Sequence, residues 1–281
     1  MAALLKKTYE IYHWINVDLQ DERTRDWFMI GSPFPVIGLL VFYHYLVQSL
    51  VPRLMKNRKP FNLDKVLIVF NVVQIIANIY CLYHCIRLGW GGRYNWICEP
   101  FDTSMTPDNI QIAQIVYTYF WLKVSDLLDT VFFALRKKNG QVSFLHLYHH
   151  TGMVMLTWGA TKWLPGGHET FIGLVNSVVH IVMYTYYLVT IVKPEQKKNI
   201  WWKKHLTQMQ MIQFLMIAVH SGLLLVQPNC QYPRWTSWVI IPQNMFLFVL
   251  FFDFYKKAYT KSKDEFEKRN GSAQKVSGKA S

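Results

Sequence analysis

Cysteine and acidic charge are both scarce in this chain. Four cysteines in 281 residues cannot supply the dense cross-linking of a small secreted scaffold. Asp and Glu number 17 against 30 Lys and Arg, a formal net charge of +13. The excess does not make a nucleic-acid binder, because the basic residues are dispersed between apolar runs and not stacked on one soluble module. A cleavable leader is missing too. The first 28 residues carry Glu10, Asp18, Asp21, Glu22 and Asp26 and have no short apolar core ending in small residues. Least expected in so basic a chain is the lack of charge over long stretches of it.

Those stretches hold what is abundant: 52% of the residues are apolar and 16% aromatic. Runs of roughly 20 apolar residues, enough to cross a bilayer core, alternate with short basic segments. The pattern predicts seven spans, at 32–51, 66–86, 110–135, 144–162, 170–192, 205–227 and 235–256. The expected fold is all-α, a polytopic membrane protein whose seven transmembrane helices form a bundle or barrel. A lumenal segment, 1–31, precedes the membrane domain, 32–256, and a disordered cytosolic tail, 257–281, follows it.

Most Lys and Arg fall in 51–65, 136–143, 193–204 and 256–281, and few in the alternate segments, so the positive-inside rule puts the N-terminus outside and the C-terminus in the cytosol. The sequon Asn270-Gly271-Ser272 then faces the wrong compartment for glycosylation. The same topology sorts the cysteines. Cys81 and Cys85 share a face of the second span and read as packing residues. Cys98 and Cys230 fall in two non-cytosolic loops, where an oxidising lumen permits a disulfide between them.

An ionisable side chain at the centre of a membrane helix costs about 2.5 to 3.5 kcal/mol on insertion scales, so each needs a partner or a purpose. Lys123, Asp126 and Asp129 recur at three-residue intervals, with Thr130 beside the last, and share one helical stripe. A purely structural ion-pair network would use the same stripe. The fourth span opens with His146, His149 and His150 on one face. A single intramembrane histidine is usually a satisfied packing residue, and His44, His84 and His220 read that way; three at one depth do not. Their spacing could ligate a metal, although only one such box is present. The fifth span adds Asn176, His180, Tyr184 and Tyr187, with Tyr186 near the edge, and the sixth adds Thr207, Gln210 and Gln213, a row that could be interhelical hydrogen-bond glue. Counting rise per residue puts His149, Asp126, Asp129, His180, Tyr184, Gln210 and Gln213 in one layer of the cytosolic half.

Above that layer lie Arg136, Lys137, Lys138, Lys193, Lys203 and Lys204. The positive-inside rule explains most of them; Lys123, Arg136, Lys138, Lys203 and Lys204 are kept as candidates for holding a phosphorylated ligand. The lumenal half is nearly all Leu, Ile, Val, Met, Phe and Trp and would suit an enclosed apolar channel.

From about Pro52 to Tyr259 the sequence resembles the very-long-chain fatty acid elongase (ELO) family. Asn57-Arg-Lys-Pro-Phe61 looks like its first cytosolic loop. Leu135-Arg-Lys-Lys138 with Gln141, then Phe144-Leu-His-Leu-Tyr-His-His150, looks like its histidine box. Asn176 to Tyr187, and Thr207 through Gln210 to Gln213, look like two further signatures. The family's third-span motif reads Lys-x-x-Glu-x-x-Asp-Thr; Lys123, Asp129 and Thr130 match, while Asp126 stands where Glu is expected. The resemblance implies an enclosed acyl channel and condensation of a long-chain acyl-CoA with malonyl-CoA. The product is a 3-oxoacyl-CoA two carbons longer, released with CO2 and CoA. It also implies the endoplasmic reticulum membrane, on which the C-terminus, with only Lys279 at retrieval-signal distance, is a weak guide. Neither metal nor other cofactor is expected. The anticipated partners are membrane lipid and the ketoreductase, dehydratase and enoyl reductase of the later steps.

A Claisen condensation needs an acyl acceptor, a promoter of decarboxylation and donors for the oxyanions. Soluble ketoacyl synthases use cysteine, but Cys81 and Cys85 lie toward the lumenal end of their span, so the acceptor is expected to be a histidine. His149 is the choice, with His146 and His150 orienting it or relaying protons and His180 aiding decarboxylation. Asp126 and Asp129 fix histidine tautomers or pair with Lys123; Asn176, the tyrosines and Gln210 donate to oxygens. A concerted mechanism with histidine only as base uses the same residues. Two other classes share some of these features: a di-iron lipid oxygenase, which needs more histidine boxes, and a seven-helix receptor or transporter.

Overall fold

The computed structural model describes residues 1–260, and the anticipated tail from 261 onward, with its sequon, lies outside them. The N-terminal segment, 1–31, is built. It holds α1 (Ala2–His13), a π-turn at Trp14–Asp18 and a 3-10 turn at Glu22–Thr24. Most of the long helices begin where a side-chain oxygen can accept one of the free N–H groups of the first turn. Ser32 does so ahead of Pro33 in α2 (Pro33–Tyr45), and Thr106 ahead of Pro107 in α5 (Pro107–Leu135). Ser143 caps α6 (Phe144–Trp163) and Asn199 caps α8 (Ile200–Val226). α2 passes through a π-turn, Leu46–Leu50, into α3 (Val51–Met55), where Pro52 has no N–H to give and the ladder is already widened. α4 (Asp64–Cys85) ends in a π-turn, Ile86–Trp90. α7 (Phe171–Val192) and α9 (Trp235–Tyr255) complete the set, and helix continues through Lys256–Thr260, where a disordered tail was expected to have begun.

Six of these helices close a ring. α4 packs on α7, α7 on α8, α8 on α9, α9 on α6, α6 on α5, and α5 returns to α4; the α2–α3 rod lies outside, against α5 and α6. α4 shows why the ring belongs in a bilayer. Its buried positions are Leu67, Asn71, Gln74, Asn78 and Cys81, while Val66, Val69, Val73, Ile76, Ile79, Tyr80 and Tyr83 are exposed. Polar residues inside and apolar ones outside invert the order water imposes and suit a lipid solvent, in which the polar groups must find partners within the protein.

Five segments are long and apolar enough to cross a membrane: Pro33–Met55, Asp64–Trp90, His168–Val192, Trp201–Val226 and Trp235–Tyr259. α5 and α6 are long enough, at 29 and 20 residues, but hold the Lys-Asp-Asp stripe and the three histidines. Composition alone therefore marks five of the seven anticipated spans, and the two it passes over are the two that carry polar chemistry.

The end of the bundle opposite the histidines is tied down covalently. Cys98 and Cys230 are bonded, with Cα atoms 5.8 Å apart, joining the loop after α4 to the loop before α9. Beside them Gly167 adopts φ of +70°, and a Cβ there would sit 2.7 Å from the Tyr232 ring and 2.8 Å from the Pro100 carbonyl oxygen. In the same loop the Ser104 backbone N–H and the Asn109 amide hold the Asp102 carboxyl below the usual carboxylate range. The N-terminal segment is fastened to the foot of α6. Lys162 Nζ donates to the Asn16, Ile30 and Gly31 carbonyls and to Gln20 Oε1 at 2.8 to 3.1 Å. Trp158 and Trp163 donate to the Met29 and Ile15 carbonyls.

Inside the disulfide half of the ring is a cavity of about 800 Å³, walled by α4, α5, α6, α7 and α9. Its position matches the expected channel, but its wall is less uniformly apolar than the sequence implied: Cys81, His84, Cys85, Glu169 and Tyr232 all line it. α2 contributes His44 and Gln48 from outside the ring, so the cavity also reaches the outer side of α6 at its histidine end.

Candidate active site

One buried lysine organises the polar layer. The stripe on α5 turns Lys123, Asp126, Asp129 and Thr130 inward, each no more than 8% exposed. Lys123 Nζ donates to Asp126 Oδ2 at 3.1 Å and to Asn176 Oδ1 at 2.7 Å, and lies 3.4 Å from His180 Nδ1. Its ammonium is also 4.8 Å from the centre of the Tyr119 ring. The Tyr119 hydroxyl donates to the same Asn176 oxygen at 2.6 Å, and the Asn176 amide donates onward to Gln213 Oε1 at 3.2 Å. Side chains of α5, α7 and α8 are thus held by one another, which fixes their rotamers before any ligand arrives.

The second knot is Tyr184. Its hydroxyl lies 2.8 Å from Asp126 Oδ1 and 2.8 Å from Asp129 Oδ2. A phenol has one hydrogen, so it donates to one carboxylate at a time; the other contact closes only when that carboxyl carries a proton and donates back. The trio Asp126, Asp129 and Tyr184 is therefore built to hold a proton out of reach of water. Asp126, where the related motif has Glu, contacts Lys123, Tyr184 and, at 3.6 Å, His180 in spite of its shorter side chain.

The histidine box joins the layer through a hydroxyl and not, as expected, through a carboxylate. Thr130 Oγ1 is 2.8 Å from His146 Nε2 and 2.7 Å from the Tyr43 hydroxyl. The rings of His146 and His150 are 4.1 Å apart and those of His149 and His150 5.5 Å apart. His149 faces Phe214 of α8 and Phe251 of α9, each 6.3 Å away. All three histidines are half-buried, whereas His180 is buried. Among the described residues no three His, Cys, Asp or Glu side chains converge as metal ligands would.

Other anticipated residues stand apart. The Gln210 amide donates to Met183 Sδ at 3.7 Å, and Thr207 donates to the Lys203 carbonyl of its own helix. The Tyr186 ring packs on Trp202, and Tyr187 packs beside Tyr184. Arg136 is paired to Asp64 at 3.3 Å, Lys203 is half-buried, and Lys138, Gln141 and Lys204 are exposed at the histidine end.

Three readings of the sequence change. His44 is satisfied by Thr151 and Gln48, but His84 Nδ1 and His220 Nε2 are buried with no hydrogen-bond partner among the described residues, so neither imidazole is fully satisfied. Cys81 clusters with Tyr119 and Leu122, which brings it to the edge of the polar layer and leaves it less remote than its position along α4 suggested. And the four site histidines do not line the cavity; their neighbours Leu147, Tyr148 and Thr151 do, and the cavity meets the polar layer at Tyr119. Tyr43, Gln74 and Tyr119 were not anticipated. Gln74, which donates to Ser125 at 2.7 Å, belongs to a row Asn71, Gln74, Asn78 whose helical spacing was the available signal.

The model of the GNS1/SUR4 family matches residues 28–267. A very long chain fatty acid elongase of Aedes aegypti is 44% identical over 265 residues, covering 94% of this chain and 73% of that protein. Very long chain fatty acid elongase 7 of Drosophila melanogaster is 44% identical over 86% of this chain and 73% of its own length. Very long chain fatty acid elongase 7 of Rattus norvegicus is 39% identical over 92% of each.

Proposed function

The chain belongs to the GNS1/SUR4 (ELO) family and is a fatty acid elongase, and from that premise we propose that the buried Lys123–Asp126–His180–Tyr184 layer, with the histidine box above it, carries out the condensing step as a very-long-chain 3-oxoacyl-CoA synthase. The observation that carries this reading is the contact between an acyl-sized cavity and that layer at Tyr119. An acyl chain can lie in the apolar half with its carbonyl at Tyr119, whose hydroxyl and ring meet Asn176 and Lys123 of the layer.

The CoA nucleotide is too polar to enter a bilayer and stays at the basic histidine end, which faces the cytosol; the disulfide end and the N-terminus face the lumen of the endoplasmic reticulum. Lys138, Lys203, Lys204 and Arg136, the last released from Asp64, supply cations for its phosphates, and Gln141, Tyr186, Tyr187, Thr207 and Gln210 line the approach. A neutral His149 attacks the acyl thioester, its ring proton leaving with the CoA thiolate, to give an acyl-imidazole and CoA. Malonyl-CoA then loses CO2, and the enolate attacks the acyl-imidazole carbon. The imidazole leaves and recovers a proton, giving 3-oxoacyl-CoA. His180, poised by Lys123 and Asp126, promotes loss of CO2; Asn176, Tyr119 and Lys123 stabilise negative oxygen. Thr130 holds the His146 ring, and His150 lies between His146 and His149 for proton relay. The carbon–carbon bond is driven by release of CO2 with no net oxidation or reduction, so this chemistry calls for neither metal nor redox cofactor. The keto product requires a ketoreductase, a dehydratase and an enoyl reductase to become a saturated acyl chain.

The test is elongation by purified protein given acyl-CoA and labelled malonyl-CoA. Label in a product two carbons longer, released with one CO2 per turnover, is expected. No product from any acyl-CoA between medium and very long chain overturns the reading.

A further inference from the structure

From Tyr119, where it meets the polar layer, the cavity extends on one side to the histidine end of α6 and on the other to the disulfide end of the ring. Much of the wall between is apolar, with Ile115, Met155, Leu156, Ile172 and Val239 among its side chains. The far end is not. Glu169, Thr170, Tyr232 and Thr236 line it there.

Glu169 is half used. Ser221 of α8 donates to its Oε1 at 2.6 Å and Thr236 of α9 donates to the same oxygen at 3.2 Å. Oε2 accepts no hydrogen bond from any described residue, and it is not among the buried polar atoms sealed off without a partner. The residue lines the cavity, and Oε2 is the carboxylate oxygen that its two hydroxyl partners leave over. Within the ring this is an acceptor left waiting at the bottom of an acyl-sized tube.

The occupant follows from the chemistry of that acceptor. A methyl-ended chain long enough to reach Glu169 strips water from Oε2 and returns nothing. A chain ending in a hydroxyl supplies the missing donor, and loss of such a donor at a built hydrogen-bonding site is what discriminates most strongly between otherwise equal ligands. We infer that the disulfide end of the cavity is a subsite for a hydroxyl at the far end of the acyl tail, so that this protein selects ω-hydroxyacyl-CoA over the unsubstituted acyl-CoA among chains long enough to reach Glu169. The inference rests on the elongase reading and specifies its substrate class.

The experiment compares kcat/KM for paired ω-hydroxy and unsubstituted acyl-CoAs across a series of chain lengths, in wild type, Glu169→Gln and Glu169→Leu. Short pairs are expected to be equal. Beyond a threshold length the hydroxylated member gains about tenfold or more in wild type. Glu169→Gln, which keeps an acceptor for Ser221 and Thr236 and offers a polar amide to the cavity, retains part of that preference. Glu169→Leu loses it and gains activity on the unsubstituted long chain. A Glu169 that only ties α7 to α8 and α9 would, when changed to Leu, lower stability and both activities together with their ratio unmoved. That result, or equal rates at every length in wild type, overturns the subsite. Failure of wild type to elongate either member of any pair with malonyl-CoA is a different outcome, and it removes the activity on which the subsite depends.

Discussion

At the scale of single residues, the layer is legible in sequence wherever a charge or a histidine cluster interrupts an apolar run, and less so where a lone tyrosine or amide joins it. Lys123, Asp126 and Asp129 announce themselves by cost and period, and the structure joins them to Asn176, His180 and Tyr184. Tyr119 and Tyr43 were lost among sixteen tyrosines and eighteen phenylalanines. Only their partners, Asn176 and Thr130, reveal that their hydroxyls belong to the site. Tyr184→Phe deletes the one hydrogen shared between two buried carboxylates. Each unsatisfied buried group costs about 1 to 3 kcal/mol, so kcat/KM should fall roughly tenfold to a hundredfold, with the loss chiefly in kcat because the phenol lies away from the basic rim. An unchanged kcat would show that the trio is scaffolding. Thr130→Val keeps the branched shape and removes the partner of His146; a fall in kcat with little change in KM is expected, and an equal drop in thermal stability with normal kcat would assign Thr130 a packing role alone.

Among the elements, apolar runs placed the helices, while the caps and prolines that set their starts, Ser32-Pro33 and Thr106-Pro107, carry the finer boundary: the third span, expected from 110, begins at Pro107. What holds the elements together was less legible. The disulfide followed from topology, since both cysteines fall on one side of the membrane, and Cys98→Ser should remove a link spanning 132 residues. Chain-entropy arguments put loops of that size at about 4 to 5 kcal/mol. A lower melting temperature and altered non-reducing mobility are expected; mobility equal to that of wild type would contradict the bond. By sequence Lys162 is a charge at the end of the fourth span. In the structure it is a clamp whose four oxygen partners all lie in the N-terminal segment, contacts separated by more than a hundred residues that no local pattern encodes. Lys162→Met should cost about 3 kcal/mol or more, as breaking a buried charge site does, and should open the chain at Arg23, whose side chain is buried against Asp21, to trypsin. Unchanged cleavage would mean the tryptophan contacts suffice.

For the whole molecule, the sequence marks apolar helices but not their neighbours. α4 packs on α7, its partner across two intervening helices, and this is what closes the ring and brings Gln74, Cys81 and Asn176 to one interior. Hydropathy could not supply that pairing, because lipid-facing apolar residues look alike on every span. Nor could it give the course of the cavity, which passes beside the histidines at Leu147, Tyr148 and Thr151 and meets the layer at Tyr119. The central claim is that an acyl group is handed from CoA to a histidine of that layer. Mass spectrometry of purified protein given acyl-CoA alone tests it most directly. An acyl adduct on His149 is expected, absent from His149→Ala and discharged on adding malonyl-CoA. Turnover with no adduct on any histidine, or with the adduct on Cys81, would contradict it.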